Sequence, residues 1–224
     1  MDLLLKFFAN NFLKPFLKFY LRKERTYTHK GFRLVVSPGV FHPGFFFSTK
    51  FLADFVSKLE LKNKKICEPG VGAGLISLSA LRKGALVTAF DVNAAAIDNC
   101  KRNFELNKSL FTNPSFTIYQ SDLFDQIPIQ TFDYVAVNPP YFFGKISNDA
   151  SMAWYAGEEG EYFEKFFRQL GDYLHADSKI YMILADNCEL EKIEFIAAKY
   201  GFQFSLAESK KIWWERNFIF EIRK

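Results

Sequence analysis

Apolar side chains in the first two dozen positions recur at helical spacing: Leu4, Phe7, Phe8, Phe12, Phe16, Phe19 and Tyr20, with Lys and Arg between them. The spacing predicts an amphipathic helix over residues 2–23, which Pro15 must kink or restart. The run Phe32-Arg33-Leu34-Val35-Val36, followed by Ser-Pro-Gly and His-Pro-Gly turns, predicts a crossing strand and a loop. From Ser48 onward the pattern becomes regular. A helix is expected over 49–59, a strand over 65–68, a glycine loop with a helix over 75–83, and a strand over 85–91. The next helix, 94–107, has Asn93 as its N-cap. Strands follow at 115–120 and 132–138, then an irregular stretch over 139–159 and a helix over 162–174. A strand at 179–184, a helix at 189–200 and strands at 201–208 and 218–222 close the chain.

Strands that alternate with helices imply a mostly parallel sheet covered on both faces. The two consecutive strands at the end imply an antiparallel hairpin on one edge. The expected fold is therefore α/β: a Rossmann-like, doubly wound, seven-stranded and mostly parallel sheet. It carries a C-terminal antiparallel hairpin and a short N-terminal helical extension. The expected division is an extension with its lead-in strand over 1–47 and a main domain over 48–224. Ligands should bind at the carboxyl ends of the strands, near the switch in strand order.

Charge refines this division. Residues 1–30 hold seven basic side chains against Asp2 and Glu24, a net +5 within a chain of net +4. The basicity thus belongs to the extension, which could meet an acidic partner such as nucleic acid or anionic lipid, or could simply be a solvated helix face. Cys67, Cys100 and Cys188 form no CxxC pair, which points to reduced thiols and a cytoplasmic setting. His29, His42 and His175 lack metal-ligand spacing and read as turn or surface residues, so no metal is expected. No stretch approaches the ~20 apolar residues of a membrane span. Lys210-Lys211 reads as a solvated turn, and Trp213-Trp214 as packing beside the last hairpin rather than a substrate platform.

Candidate chemistry gathers at strand ends. Glu68-Pro69-Gly70-Val71-Gly72-Ala73-Gly74 leaves a strand and opens a helix, and glycine lets a ligand approach where a Cβ would clash. A dinucleotide fingerprint would want a third glycine where Leu75 stands. An acid opening the loop would repel a pyrophosphate, yet would suit the cationic amino group of a methionine moiety. Asp91, about twenty residues on, stands where a carboxylate can grip ribose hydroxyls. Asp122-Leu123, after the third strand of the main sheet, could accept an adenine amino hydrogen.

The run Asn138-Pro139-Pro140-Tyr141 follows the strand Phe132–Val137. A conjugated amine is a poor nucleophile, because its lone pair is delocalised. The Asn138 oxygen and the Pro139 carbonyl can each accept one of its N–H bonds and turn the lone pair toward a methyl donor. The prolines restrict the backbone that carries that carbonyl. Tyr141 can stack on a flat acceptor.

These motifs resemble class I methyltransferases with an NPPY loop, over roughly residues 32–224. That group includes adenine-N6 and guanine-N2 nucleic-acid methylases and the HemK-like glutamine-N5 methylases of peptide-release factors. The resemblance implies S-adenosylmethionine as cofactor. Glu68, Gly70, Gly72 and Gly74 would hold its methionine part, Asp91 its ribose and Asp122 with Leu123 its adenine, while Asn138 to Tyr141 would hold the target nitrogen. The segment Tyr155–Phe163, and Pro43–Leu52 with Ser48-Thr49, resemble the HemK-like branch, which implies a protein glutamine amide as acceptor. Phe142, and an N-terminal segment shorter than that branch's substrate-recognising domain, leave an exocyclic amine of RNA or DNA as the alternative. A cofactor-binding module without catalysis is the third reading.

Overall fold

The computed structural model describes residues 22–45, 47–146, 152–212 and 215–224. The helix expected over 2–23 lies outside them except for its last two residues, and Trp213-Trp214 lies wholly outside. In chain order the elements are β1 (Arg25–His29), β2 (Phe32–Val36), α1 (Phe47–Val56), β3 (Lys65–Pro69), α2 (Leu75–Arg82), β4 (Leu86–Asp91) and α3 (Ala94–Asn107). There follow β5 (Ser115–Gln120), β6 (Phe132–Val137), α4 (Glu161–Leu170), β7 (Leu174–Ala185), α5 (Leu190–Lys199), β8 (Gln203–Ile212) and β9 (Glu215–Arg223).

The main sheet has seven strands in the order β5-β4-β3-β6-β7-β9-β8. Strands β3 to β7 run parallel, while β9 pairs antiparallel with both β7 and β8. The chain winds outward from β3 through β4 to β5, then restarts on the other side of β3 with β6. The switch point thus lies between β3 and β6, and it aims the ends of both strands into one crevice. The centre of β3 is hydrophobic on both faces. Ile66 belongs to the buried cluster with Leu34, Leu52 and Leu78, whereas Cys67 faces that of Phe132, Phe163 and Phe166. No helix among the described residues is long and apolar enough to cross a membrane.

Several boundaries differ from the expected ones. Strand β7 starts at Leu174 and not at 179, because the helix before it ends at Leu170 and closes with a single 3-10 turn over Gly171–Tyr173. Strands β8 and β9 are longer than expected, so Lys210 and Lys211 belong to a strand and not a turn. The expected single strand at 32–36 is one arm of a hairpin whose other arm is β1.

That hairpin docks on α3 by an asparagine ladder. The backbone N–H groups of Arg33, Val35 and Ser37 donate to Oδ1 of Asn107, Asn103 and Asn99 at 3.0, 2.7 and 2.6 Å. The amide nitrogens of Asn99 and Asn103 donate to the Val35 carbonyl at 2.7 and 2.8 Å, and that of Asn107 to the Arg33 carbonyl at 2.8 Å. Four helical residues rise about 6 Å and two strand residues about 6.7 Å, so one side chain per turn can serve every second residue of β2. The ladder supplies the partners that a neighbouring strand would otherwise provide. Glu24 pairs with Arg102 and Lys30 with Asp54, so part of the N-terminal charge is engaged within the molecule.

Candidate active site

Of the expected site residues, Glu68, Gly70, Gly72, Asp91, Asp122, Leu123, Asn138, Pro139, Pro140 and Tyr141 line a single cavity of about 510 Å³. That volume suits a small-molecule ligand. Gly74 lies outside the lining: a Cβ there would meet Cys100 Sγ at 2.6 Å, and its φ is +84°. It lets α2 approach α3 closely.

The glycine loop is bound to the end of β4. Gly70 and Val71 donate to the Phe90 carbonyl at 2.8 and 3.0 Å, and Gly72 donates to Asp91 Oδ2 at 3.0 Å. Gly72 has φ +51° with nothing within 4 Å of a Cβ, so backbone conformation and not crowding requires glycine there. Asn103 Nδ2 also donates to the Ala73 carbonyl at 2.9 Å, which ties the loop to the asparagine ladder.

Glu68 is buried, and its Oε2 accepts the Ser77 backbone N–H at 2.7 Å together with the Ser77 hydroxyl. It thus sits at the N-terminus of α2, where the helix dipole favours negative charge. Burial nevertheless dominates and pushes its carboxyl up to about 8; the Ser77 bonds oppose this and the Asp91 charge adds to it. Burial also raises Asp91, against hydrogen bonds from Asn93, Gly72 and Val92. Two acids share one low-dielectric cavity, and an incoming cation would relieve both.

Asp122 is exposed yet engaged, because Lys165 Nζ lies 2.6 Å from its Oδ2 and 2.8 Å from Asp125 Oδ2. Leu123 is buried with φ +52°, an uncommon conformation for a side chain of that size.

At the end of β6, Asn138 Nδ2 donates to Thr49 Oγ1 at 3.0 Å. Asn138 Oδ1 is buried and has no hydrogen-bond partner among the described residues. Tyr141 packs edge-on against Phe142 at 5.0 Å between ring centroids. Burial is the largest cause raising its hydroxyl pKa. The stretch expected to be irregular is pinned where described: Phe142 donates to the Trp154 carbonyl, Ala156 to the Phe142 carbonyl and Gly144 to the Gly157 carbonyl.

Sequence reasoning missed the opposite wall. Phe41, Pro43 and Thr49 line the cavity from the segment before β3, and Trp154, Tyr162 and Lys165 from beyond the NPPY turn. The Phe41 and Trp154 rings lie 5.2 Å apart. Pro43 and Thr49 carried a signal as part of the Pro43–Leu52 likeness, and Tyr162 as part of the Tyr155–Phe163 one; Phe41, Trp154 and Lys165 carried none. His42 is buried and not on the surface; its Nδ1 accepts the Gly44 N–H at 3.0 Å and shapes the turn into α1.

Comparison with known proteins agrees with this geometry. The model of the methyltransferase small domain family matches residues 31–213. A Methanocaldococcus jannaschii protein provisionally named protein N5-glutamine methyltransferase is 31% identical over 151 residues, which cover 65% of this chain and 72% of that protein. The tRNA1(Val) (adenine(37)-N6)-methyltransferase of Shewanella loihica is 34% identical over 86 residues, 35% of this chain and 34% of its own length. Among solved structures, the E. cuniculi Mtq2–Trm112 complex, responsible for methylation of the eRF1 termination factor, matches with TM-score 0.63 and 19% identity, over 83% of this chain and 99% of that one. The T. thermophilus 16S rRNA N2 G1207 methyltransferase matches with TM-score 0.63 and 17% identity, over 90% and 50%. At these identities the solved structures speak for the fold alone. The family match covers most of the chain, which is a member of the methyltransferase small domain family and an S-adenosylmethionine-dependent methyltransferase.

Proposed function

We propose that the acceptor is a planar nitrogen, and that it is the side-chain amide of a glutamine in a protein. The observation that carries the planar-nitrogen reading is Asn138, which lines the cavity and whose buried Oδ1 has no partner among the described residues. A buried acceptor costs free energy until a donor reaches it, and an acceptor N–H is such a donor. The 31% identity to a protein named for glutamine-N5 methylation favours the amide.

The residues fit S-adenosylmethionine, which supplies an electrophilic methyl group when bound. Glu68 sits where a carboxylate can meet the ammonium of the methionine part, with Gly70 and Gly72 leaving room for it and Gly74 shaping the loop from behind. Asp91 keeps capacity to accept ribose hydroxyls, and Asp122 with Leu123 borders the adenine. Asn138 Oδ1 and the Pro139 carbonyl accept the two N–H bonds of the acceptor and turn its lone pair toward the methyl group. Pro140 stiffens the turn, and Tyr141 stacks on the acceptor plane. The proton leaves after transfer, so no strong base is needed.

The aromatic wall of Phe41 and Trp154 favours one second reading, an exocyclic amine of a nucleic-acid base stacked against that wall. Residues 1–30 would then be the phosphate-binding handle; in the protein reading they dock an acidic face of the substrate. The described thiols are free, as in a cytoplasmic enzyme.

The test incubates the enzyme and tritiated S-adenosylmethionine with the protein and RNA fractions of cells lacking the gene. Label should enter protein as methylglutamine. Label confined to RNA would overturn the amide reading. Asn138→Ala should bind S-adenosylhomocysteine as wild type does, yet transfer methyl groups about 10²–10³-fold more slowly. Equal single-turnover rates would overturn the planar-nitrogen reading.

A further inference from the structure

The geometry points to Thr49 as the positioning residue of the methyl-transfer step: its hydroxyl holds the Asn138 amide in place by the nitrogen end, which leaves the oxygen to the acceptor. This rests on the planar-nitrogen reading and deepens it. A primary amide has a donor end and an acceptor end of nearly the same shape, and its contacts decide which end points where. Here Thr49 Oγ1 takes the donor end, with Asn138 Nδ2 at 3.0 Å. The acceptor end, Oδ1, is left buried and without a partner among the described residues. With the amide turned over, Nδ2 would meet the N–H of the acceptor, donor against donor, and the lone pair would not be aimed.

The two residues are 89 positions apart, and each is held by its own element. Thr49 lies in the first turn of α1, whose Phe51, Leu52 and Val56 are buried in the core cluster with Leu78 and Ile183. Asn138 follows β6 directly, at the start of the proline turn. Both side chains line the cavity. The contact therefore ties the start of α1 to the loop that receives the acceptor.

Three variants test it: Thr49→Val, which keeps shape and removes the hydroxyl; Thr49→Ser, which keeps the hydroxyl; and Thr49→Val combined with Asn138→Ala. The probes are S-adenosylhomocysteine for calorimetry and the protein and RNA fractions above for single-turnover transfer of labelled methyl. Thr49→Val should bind S-adenosylhomocysteine with wild-type affinity while transfer slows roughly ten- to a hundredfold. Thr49→Ser should restore the rate. The double variant should be no slower than Asn138→Ala alone, since both changes remove one function. Wild-type rates in Thr49→Val, with Asn138→Ala still slow, would overturn the role of Thr49 and leave the planar-nitrogen reading standing. If Thr49→Val fails to fold, Thr49→Ala takes its place, alone and combined with Asn138→Ala: a slow serine variant, or further slowing in that double variant, overturns the proposal.

Discussion

Glu68 is asked to be two things: a clamp on the first turn of α2 and a wall of the ligand cavity. Burial holds its carboxyl at about 8, against about 4.3 in an unfolded chain. The fold thus favours the protonated form. The stability this brings is complete below about pH 4.3 and is lost as pH rises through 8. A cation arriving beside the carboxyl acts in the opposite direction and expels the proton. At pH 7, S-adenosylmethionine binding should therefore release up to one proton, seen as a calorimetric heat that changes with the ionisation enthalpy of the buffer. Glu68→Gln should abolish that dependence. Identical heats for wild type in phosphate and Tris would show that no proton leaves Glu68 when the ligand binds. At this scale the motif residues were legible, because loop glycines, strand-end acids and the NPPY run are local in sequence. Phe41 and Lys165 were not: each arrives from a separate segment, and only the fold makes them neighbours. His42 stands in a turn as expected, but that turn is covered and not on the surface.

Among elements, α3 shows how a pattern can be visible and still pass unread. Its boundaries, 94–107 behind Asn93, follow from periodicity and capping, and Asn93 Oδ1 does accept the Ala95 N–H at 2.9 Å. Asn99, Asn103 and Asn107 also recur at the four-residue spacing of one helix face, but three amides pointing inward look like a solvated stripe until β2 lies against them. Strand β1 escaped notice for a related reason. Arg25–His29 has Tyr27 as its one large apolar residue, and its turn, Lys30-Gly31 with φ +44° and +88°, lacks the Asn-Gly signature of such hairpins. The ladder carries a measurable load. Asn103 is fully buried and serves Val35 and Ala73, so Asn103→Leu strands backbone groups that have no water to turn to. Each stranded group costs about 1–3 kcal/mol, and urea denaturation should report a loss of at least about 2 kcal/mol. A loss within error would mean that the ladder only decorates the interface. Affinity for S-adenosylhomocysteine should fall as well, because Ala73 belongs to the glycine loop.

For the whole molecule, the alternation of strands and helices was enough to set the sheet, its switch point and the site at the strand ends, since these follow from connection rules more than from side-chain detail. Strand lengths on the antiparallel side were not, because β8 and β9 support one another across polar sequence that reads as turn. The N-terminal segment divides accordingly. A chain beginning at Arg22 should keep the hairpin, fold and bind S-adenosylhomocysteine as the full chain does. One beginning at Gly31 loses β1 and bares one edge of β2, and should melt lower. Equal melting temperatures for the two would show that β1 is dispensable.

The asparagine ladder also acts as a ruler. Its rungs stand one helical turn apart against every second residue of β2, so sliding the strand by a single position would misplace all three amides together and turn Phe32 and Leu34 away from the core. A slide by two positions would restore the faces but leave one rung empty. The register seen is the one that fills every rung, and the first wall of the cavity, laid down by the residues that follow β2, inherits that setting.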